Sequence, residues 1–491
     1  MVAALWLLAP TSMYADGGKR EFRGAWMQFV NGMYLGKSTA EIQQMLTHQL
    51  DELEKDGANA IIFQVRGECD ALYESKIEPW SRYLTGVQGK APSPYWDPMA
   101  WMIQQCHRRG MEFHAWINPY RARMKSPTRL ADNHILKTHP ERAFEYGGLY
   151  VLNPGLKENR DYILSVVDDI VSRYDIDGIH IDDYFYPYPE GGRPIPDDRE
   201  YALYNNGIAD RGDWRRYNVN LFVKEMGEHV HKLKPWVKFG VSPFGIYRNK
   251  KSSPIGSDTN GLQNYDQLYA DVLLWVNNGW IDYCVPQLYW HIGHPLADYE
   301  KLIKWWAKHM ANRPLYIGES IENTVQNSDP ANPNTHQMAA KFRLHRQLRN
   351  VSGTVLWYAK VAAEDMGSYG TMLRNVYWKS KALPPYMPFL DSKAPKKPAK
   401  VGDAWTEDGL MLYWSAPKAK KWGDEARRYV IYRFAKGEKV NLADASKIVK
   451  ITYDNYYRLP YDGGTKKYKY VVTALDRVGN ESKGAKRKVK L

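Results

Sequence analysis

A chain of 491 residues is too long for one small domain and holds two or three, and its 44% hydrophobic content is ample for their cores. Three scattered cysteines, Cys69, Cys106 and Cys284, exclude a disulfide framework and a zinc site and read as buried small hydrophobes. The formal charge of +13 sits entirely from Lys393 onward, where 24 Lys and Arg face 11 Asp and Glu, so the longer first part is neutral and no nucleic-acid partner is expected.

In chain order, residues 1–15 read as a secretory signal: Ala3 to Ala9 is a short apolar run, and Ser12-Met13-Tyr14-Ala15 places small residues before a cut at Asp16. No cysteine lies near that cut, so a lipoprotein anchor is not expected, and no later apolar run reaches the ~20 residues of a membrane span. The reading is an exported, periplasmic or extracellular protein. Strands and helices then alternate: strand Glu21–Gln28, helix Thr39–Asp56, strand Ala60–Arg66, helix Asp97–Arg109, strand Glu112–Asn118, a long loop rich in Pro, Gly and basic residues, helix Lys157–Tyr174 and strand Gly178–Asp183. Helix Trp214–Lys234, strand Lys238–Ser242, helix Asn264–Asn278, strand Tyr283–Tyr289, helix Ala297–Ala311, strand Leu315–Ser320, helix Thr335–Asn350, strand Thr354–Tyr358 and a helix near Asp365–Trp378 continue the beat. Eight such units predict an α/β fold, a (β/α)8 TIM barrel over residues 20–380. A doubly wound open sheet is the alternative, but no glycine-rich phosphate loop follows the first strand.

Pro384, Pro385, Pro388, Pro395 and Pro398 mark a stiff linker over 381–398. Beyond it, short alternating strands at Leu410–Trp414, Arg428–Phe434, Lys447–Thr452, Lys467–Asp476 and near the end predict a small all-β, immunoglobulin-like sandwich over 399–491. Its basicity suits an acidic surface such as a cell-envelope polymer or anionic lipid, or is a solvated Lys-rich exterior.

A barrel carries its chemistry at the C-terminal ends of its strands. Here these ends offer Arg66 with Glu68 and Asp70, Asn118 with Arg121, Asp182-Asp183-Tyr184, Ser242, Gln287 with Tyr289 and Trp290, Glu319, and Trp357. Carboxylates, amides and aromatics without a Ser-His elbow, a Cys nucleophile or a P-loop fit glycoside hydrolysis, in which two carboxylates work while rings and amides grip hydroxyls. On a strand His180 and Asp182 share a face and Asp183 takes the other. Asp182 is therefore the expected nucleophile or charge stabiliser and Asp183 a supporting residue, with the proton donor on another strand, Glu319 or Asp70, and Glu68 behind them. Arg66, Asn118, Arg121, His180, Tyr184, Gln287, Tyr289, Trp290 and Trp357 are the expected sugar-site residues. No cofactor or metal is expected. The alternatives are a glycan-binding protein on a degenerate barrel, and a metal-dependent polysaccharide deacetylase using His180 and Asp182 with His114 or His291.

Phe22-Arg23-Gly24-Ala25-Trp26, Gln64-Val65-Arg66, Asp70-Ala71-Leu72-Tyr73, Glu78-Pro79-Trp80-Ser81, Ala115-Trp116-Ile117-Asn118-Pro119-Tyr120-Arg121, Asp177 to Pro187 and Pro286-Gln287-Leu288-Tyr289-Trp290 follow one another in an order that resembles the glycosyl-hydrolase-like 10 family. The resemblance covers roughly residues 20–380 and implies an exported bacterial TIM-barrel glycosidase of an envelope or extracellular glycan, with some relatives linked to peptidoglycan glycan strands. The fourth-strand motif is also loosely similar to α-amylase-like barrels, where a basic residue stands two before the nucleophilic Asp. It departs from chitinase-like family 18 enzymes, whose catalytic Glu is replaced here by Tyr184. That departure leaves open a substrate-assisted route, with Asp182 steadying an N-acetyl group. Leu412-Tyr413-Trp414, Tyr429 to Arg433, Tyr468 to Asp476 and Gly479-Asn480-Glu481-Ser482 are similar to a fibronectin type III module, usually a spacer or weak binder.

Overall fold

Continuous apolar strands need cover on both faces, and here they find it by closing into a barrel inside a ring of helices. The computed structural model describes residues 18–491 apart from 127 and 311. The expected signal at 1–15 lies outside the described residues. The barrel strands are β1 (Phe22–Met27), β2 (Ala60–Arg66), β3 (Glu112–Ile117), β4 (Gly178–Ile181), β5 (Lys238–Val241), β6 in two pieces (Tyr283–Cys284 and Gln287–Leu288), β7 (Leu315–Ser320) and β8 (Val351–Trp357). Each pairs in parallel with the next, and β8 pairs with β1, so the sheet has no edge. Pro286 has no N–H to give the ladder, which divides β6.

The crossover helices follow their caps. α1 (Thr39–Asp56) opens on a capping box between Ser38 and Glu41 and closes at Gly57, whose φ of 94° suits glycine. α2 (Pro98–Arg108), α3 (Lys157–Arg173), α4 (Arg211–Leu233), α5 (Val272–Asn277), α6 (Tyr299–His309) and α7 (Met338–Gln347) complete the outer layer. Alternation along the strands makes two cores. Phe22, Trp26, Ile62, Trp116, Tyr283, Val285, Tyr316 and Val355 fill the barrel, while the opposite parity packs against the helices.

Three expected elements differ. The loop after β3 contains a three-stranded antiparallel sheet, Arg121–Met124, Leu149–Leu152 and Ala143–Tyr146. The helix expected over 264–278 is two short ones, Asn264–Gln267 and α5, and the last helix is broken into Ala359–Ala363, Tyr369–Met372 and a π turn at Leu373–Tyr377. The proline-rich segment does not hang free in its first half: Leu383 and Met387 are buried, Leu383 exchanges backbone hydrogen bonds with Lys19 and Glu21, and Met387 joins the barrel core from below.

Beyond that segment lie β9 (Ala399–Thr406), β10 (Gly409–Ser415), β11 (Arg428–Ala435), β12 (Ile448–Thr452), β13 (Tyr456–Arg458), β14 (Lys467–Leu475) and β15 (Ala485–Lys490). They form two antiparallel sheets, β9-β10-β13 and β12-β11-β14-β15, around a shared core that includes Leu412, Trp414, Ile431, Tyr470 and Val472. This all-β domain sits on the N-terminal end of the barrel. Its buried Arg428 donates to Glu112 Oε1 at 2.8 Å, Tyr453 stacks on His107, and Arg427 and Arg477 pair with Asp175. The opposite end of the barrel is open.

Candidate active site

At that open end β4 stops at Ile181, and the chain turns off the ladder with two successive carboxylates. Both line one cleft of about 420 Å³, together with Trp26, Gln28, Gln64, Trp116, Arg121, Tyr184, Ser242, Gln287, Tyr289 and Trp357. Strict alternation would have turned Asp183 away. The end of the strand releases it from that parity, so the expectation that the two do not share the cleft is corrected.

Asp182 is buried on the barrel axis side. Its Oδ2 accepts the Trp116 indole N–H at 3.2 Å, and the Asn118 amide donates to both oxygens at 3.3 Å. Burial, reinforced by the charge of Asp183, pushes its carboxyl up to about 7, against the pull of Arg121 and Trp116. Asp183 is also raised by burial, but Tyr188 donates its hydroxyl to Oδ2, and Gln287 and Arg121 further favour the anion. The environments thus separate two neighbouring carboxyls into a proton holder and a more ionised partner.

The walls suit a sugar chain. Trp26, Tyr289 and Trp116 each meet Trp357, at ring-centroid distances of 6.1, 5.9 and 6.3 Å. Arg121 is fixed by its bond to the Gly67 carbonyl and lies 5.0 Å from the Tyr184 ring. Gln28 Oε1 and Gln64 Nε2 are buried without a hydrogen-bond partner among the described residues. One acceptor and one donor left unpaired at a cleft wall are matched to ligand hydroxyls.

Of the expected site residues, Asp182, Asp183, Arg121, Tyr184, Gln287, Tyr289 and Trp357 come together, and Asn118 and His180 lie directly beneath. The rest are placed elsewhere. Glu319 faces the helix layer, where Lys341 Nζ lies 2.6 Å from Oε1 and Thr324 also donates to it. Asp70 is buried in its own loop, accepting from Glu68 N at 3.1 Å and Gln88 Nε2 at 3.3 Å, and its carboxyl is pushed up to about 6 by burial and then by Glu68. Glu68 pairs with Arg82. Arg66 forks onto Glu78 and donates to the carbonyls of Asn118 and Pro119, so it braces the loop after β3. Trp290 packs edge-on against Phe244 outside the cleft lining. Asp182 and Asp183 are therefore the only carboxylates lining the cleft among the described residues. The alternative metal set is not assembled. His114 and His180 have both ring nitrogens engaged by Glu112, Tyr283 and Ser242, and His291 Nδ1 bonds the Ile292 carbonyl. Trp26, Gln28, Gln64 and Tyr188 were missed. Parity along β1 and β2 identifies the first three; Tyr188 lies in an irregular loop with no such signal.

Comparison with known proteins gives the family. The family model described as "Glycosyl hydrolase-like 10" matches residues 21–334. The chain belongs to this family. It is 39% identical over 483 residues to "Glycosyl hydrolase YngK" of Bacillus subtilis (strain 168), covering 96% of this chain and 94% of that protein. It is 37% identical over 332 residues to "Glycosyl hydrolase DigH" of Escherichia coli (strain K12), covering 64% of this chain and 75% of that protein. Among solved structures, the PgaB (BpsB) glycoside hydrolase domain from Bordetella bronchiseptica matches at 11% identity with a TM-score of 0.45, over 72% of this chain and 98% of that one.

Proposed function

We propose that this glycosidase cleaves a cell-envelope or extracellular polysaccharide, with peptidoglycan glycan strands as the favoured substrate, and that Asp182 is its proton donor. Membership of the glycosyl hydrolase-like 10 family supports the reaction class. The observation that carries the residue assignment is the raised Asp182 carboxyl beside Asp183, which accepts the Tyr188 hydroxyl, in a cleft walled by five indole and phenol rings. A group near neutrality is matched to donating a proton to the leaving oxygen. Asp183 then opposes the positive charge that develops on the sugar ring. If the sugar is N-acetylated, its own carbonyl supplies the nucleophile, which suits a cleft with adjacent carboxylates and no third. This departs from the roles expected from sequence, where Asp182 was the nucleophile or charge stabiliser, Asp183 a supporting residue, and Glu319 or Asp70 the donor.

The route to that substrate is export, supported by the signal-like residues 1–15; no helix among the described residues is long and apolar enough to cross a membrane. The C-terminal domain, read as fibronectin type III-like, is proposed to dock an acidic envelope polymer. Register supports this: Lys467 stands opposite Lys490 and Lys469 opposite Lys488. Like charges paired across a ladder repel, and with Lys436 they line a groove of about 550 Å³ that holds no acid.

Purified glycan strands test the assignment by release of new reducing ends. Asp182→Asn is expected to cut the rate of release about 10³-fold while keeping the glycan bound. The reading fails if the parent chain binds strands and never cleaves them, which is the behaviour of a non-catalytic glycan binder.

A further inference from the structure

A chain of buried polar contacts runs the length of the barrel beneath the cleft. At the base, Glu112 Oε1 receives Lys238 Nζ at 2.6 Å and Arg428 at 2.8 Å, and Glu112 Oε2 lies 3.1 Å from His114 Nε2. His114 Nδ1 lies 2.8 Å from the Tyr283 hydroxyl, which lies 3.1 Å from His180 Nδ1. His180 Nε2 lies 2.9 Å from Ser242 Oγ and 3.4 Å from the Trp26 indole nitrogen. Ser242 lines the cleft.

We propose that Ser242 is a specificity-determining residue, held by this chain as a hydrogen-bond acceptor toward the glycan. The direction of the chain follows from its two ends. Glu112 is an anion, because burial is outweighed by Lys238 and Arg428, which hold its carboxyl at about 2, and an ionised carboxylate only accepts. His114 is neutral, lowered by burial, so its one proton sits on Nε2 and Nδ1 accepts from Tyr283. The Tyr283 proton is then spent, so its oxygen accepts from His180 Nδ1–H. His180 is also neutral, lowered by burial, which leaves Nε2 as an acceptor. The far end agrees: an indole N–H is donor only and faces Nε2, although at 3.4 Å the Trp26 contact is too long to hold the tautomer by itself. Ser242 therefore gives its proton to His180. Its alternative acceptor, the Ile181 carbonyl, is at 3.5 Å. What remains for the cleft is the Ser242 lone pairs, which take a hydroxyl or amide N–H of the sugar and reject a carbonyl or ether oxygen at that position. The chain also begins on Arg428, a residue of the C-terminal domain, so docking of that domain secures the first link.

The inference rests on the cleft being the glycan site, but its first test does not. In the full chain with 15N-labelled histidine, long-range 1H–15N spectra at pH 7 are expected to show His114 protonated at Nε2 and His180 at Nδ1. His180 protonated at Nε2 overturns the proposal, whatever the activity. With glycan strands as substrate, Ser242→Ala is expected to raise KM about fivefold with kcat within about twofold, the loss of one neutral hydrogen bond. Tyr283→Phe is expected to lose the single His180 tautomer and to raise KM similarly, and the double variant to do no worse than either alone. Additive losses, or an unchanged tautomer in a folded Tyr283→Phe, also overturn it.

Discussion

Strand β4 begins after one buried aspartate and ends at another, and the two are opposites. Asp177, at the base, is 4% exposed and Asp182, at the mouth, 3%. Burial opposes ionisation at both. At Asp177 the His107 ring, 2.8 Å away, followed by Arg427 and Arg428, outweighs it and holds the carboxyl below the usual range. At Asp182 burial is reinforced by the strongest neighbouring charge, a second carboxylate, Asp183, and the carboxyl rises to about 7. Equal burial thus yields a structural anion at one end and a proton reservoir at the other. The cations decide, and those at the base come partly from the C-terminal domain. The difference fits the proposal that the mouth of the barrel does chemistry while its base carries stability.

The largest test of that contrast exchanges each carboxylate for its amide. Asp182→Asn removes the proposed donor, and the rate of reducing-end release is expected to fall about 10³-fold. Its melting temperature at pH 8 is expected to hold or rise, because the amide has no charge to keep buried. Asp177→Asn breaks a buried ion network and is expected to cost about 3 kcal/mol in denaturant unfolding, with activity per folded molecule within about twofold. If instead Asp177→Asn abolishes turnover in a folded chain, the division between the ends is wrong.

The dependence on pH separates the same two groups. The folded carboxyl of Asp182, at about 7, lies above its unfolded value of 3.8. Its contribution to stability is fully present below about pH 4 and is lost as pH rises through about 7. Asp177, depressed in the fold, contributes stability above its unfolded value and loses it as pH falls. Chemical unfolding followed from pH 4 to 8 is expected to show a downward component in the parent chain that is absent from Asp182→Asn. The alkaline limb of activity is expected near pH 7, where the donor loses its proton. An activity that keeps rising to pH 9 would remove Asp182 from that role.

Much of this was legible in the residues themselves. Ala60–Arg66 and Leu315–Ser320 are strands with the predicted bounds, the first because a continuous apolar run fits a parallel sheet covered on both sides. The face shared by His180 and Asp182 held as well, and the two do point into the barrel. What failed was parity near strand ends. Glu319 stands at the end of β7, but Tyr316 and Gly318 are the inward residues there, so Glu319 meets Lys341 instead. Arg66 follows a register shift between Gln64 and Arg66 that takes it out of the inward row. Asp183 came into the cleft by the same escape, two residues past the last paired position, Ile181. Counting inward positions finds Trp26 and Gln64; no count along a strand finds Tyr188, which reaches Asp183 from an irregular loop.

The smaller tests probe what tunes the mouth. Trp357 meets three other rings of the cleft, and Trp357→Ala is expected to raise KM for glycan strands about tenfold through lost stacking area, with little effect on the pH limb. Trp116→Phe keeps a ring in place and deletes only the N–H that Asp182 Oδ2 accepts at 3.2 Å. The anion loses one of its donors while burial and Asp183 are unchanged, so the carboxyl should rise further. The alkaline limb is expected to move upward by about half a unit, the direction opposite to any loosening of the site that let water reach the anion. A downward shift in Trp116→Phe would mean that solvent entry, rather than the missing N–H, governs Asp182. An unmoved limb would mean that the limb belongs to another group.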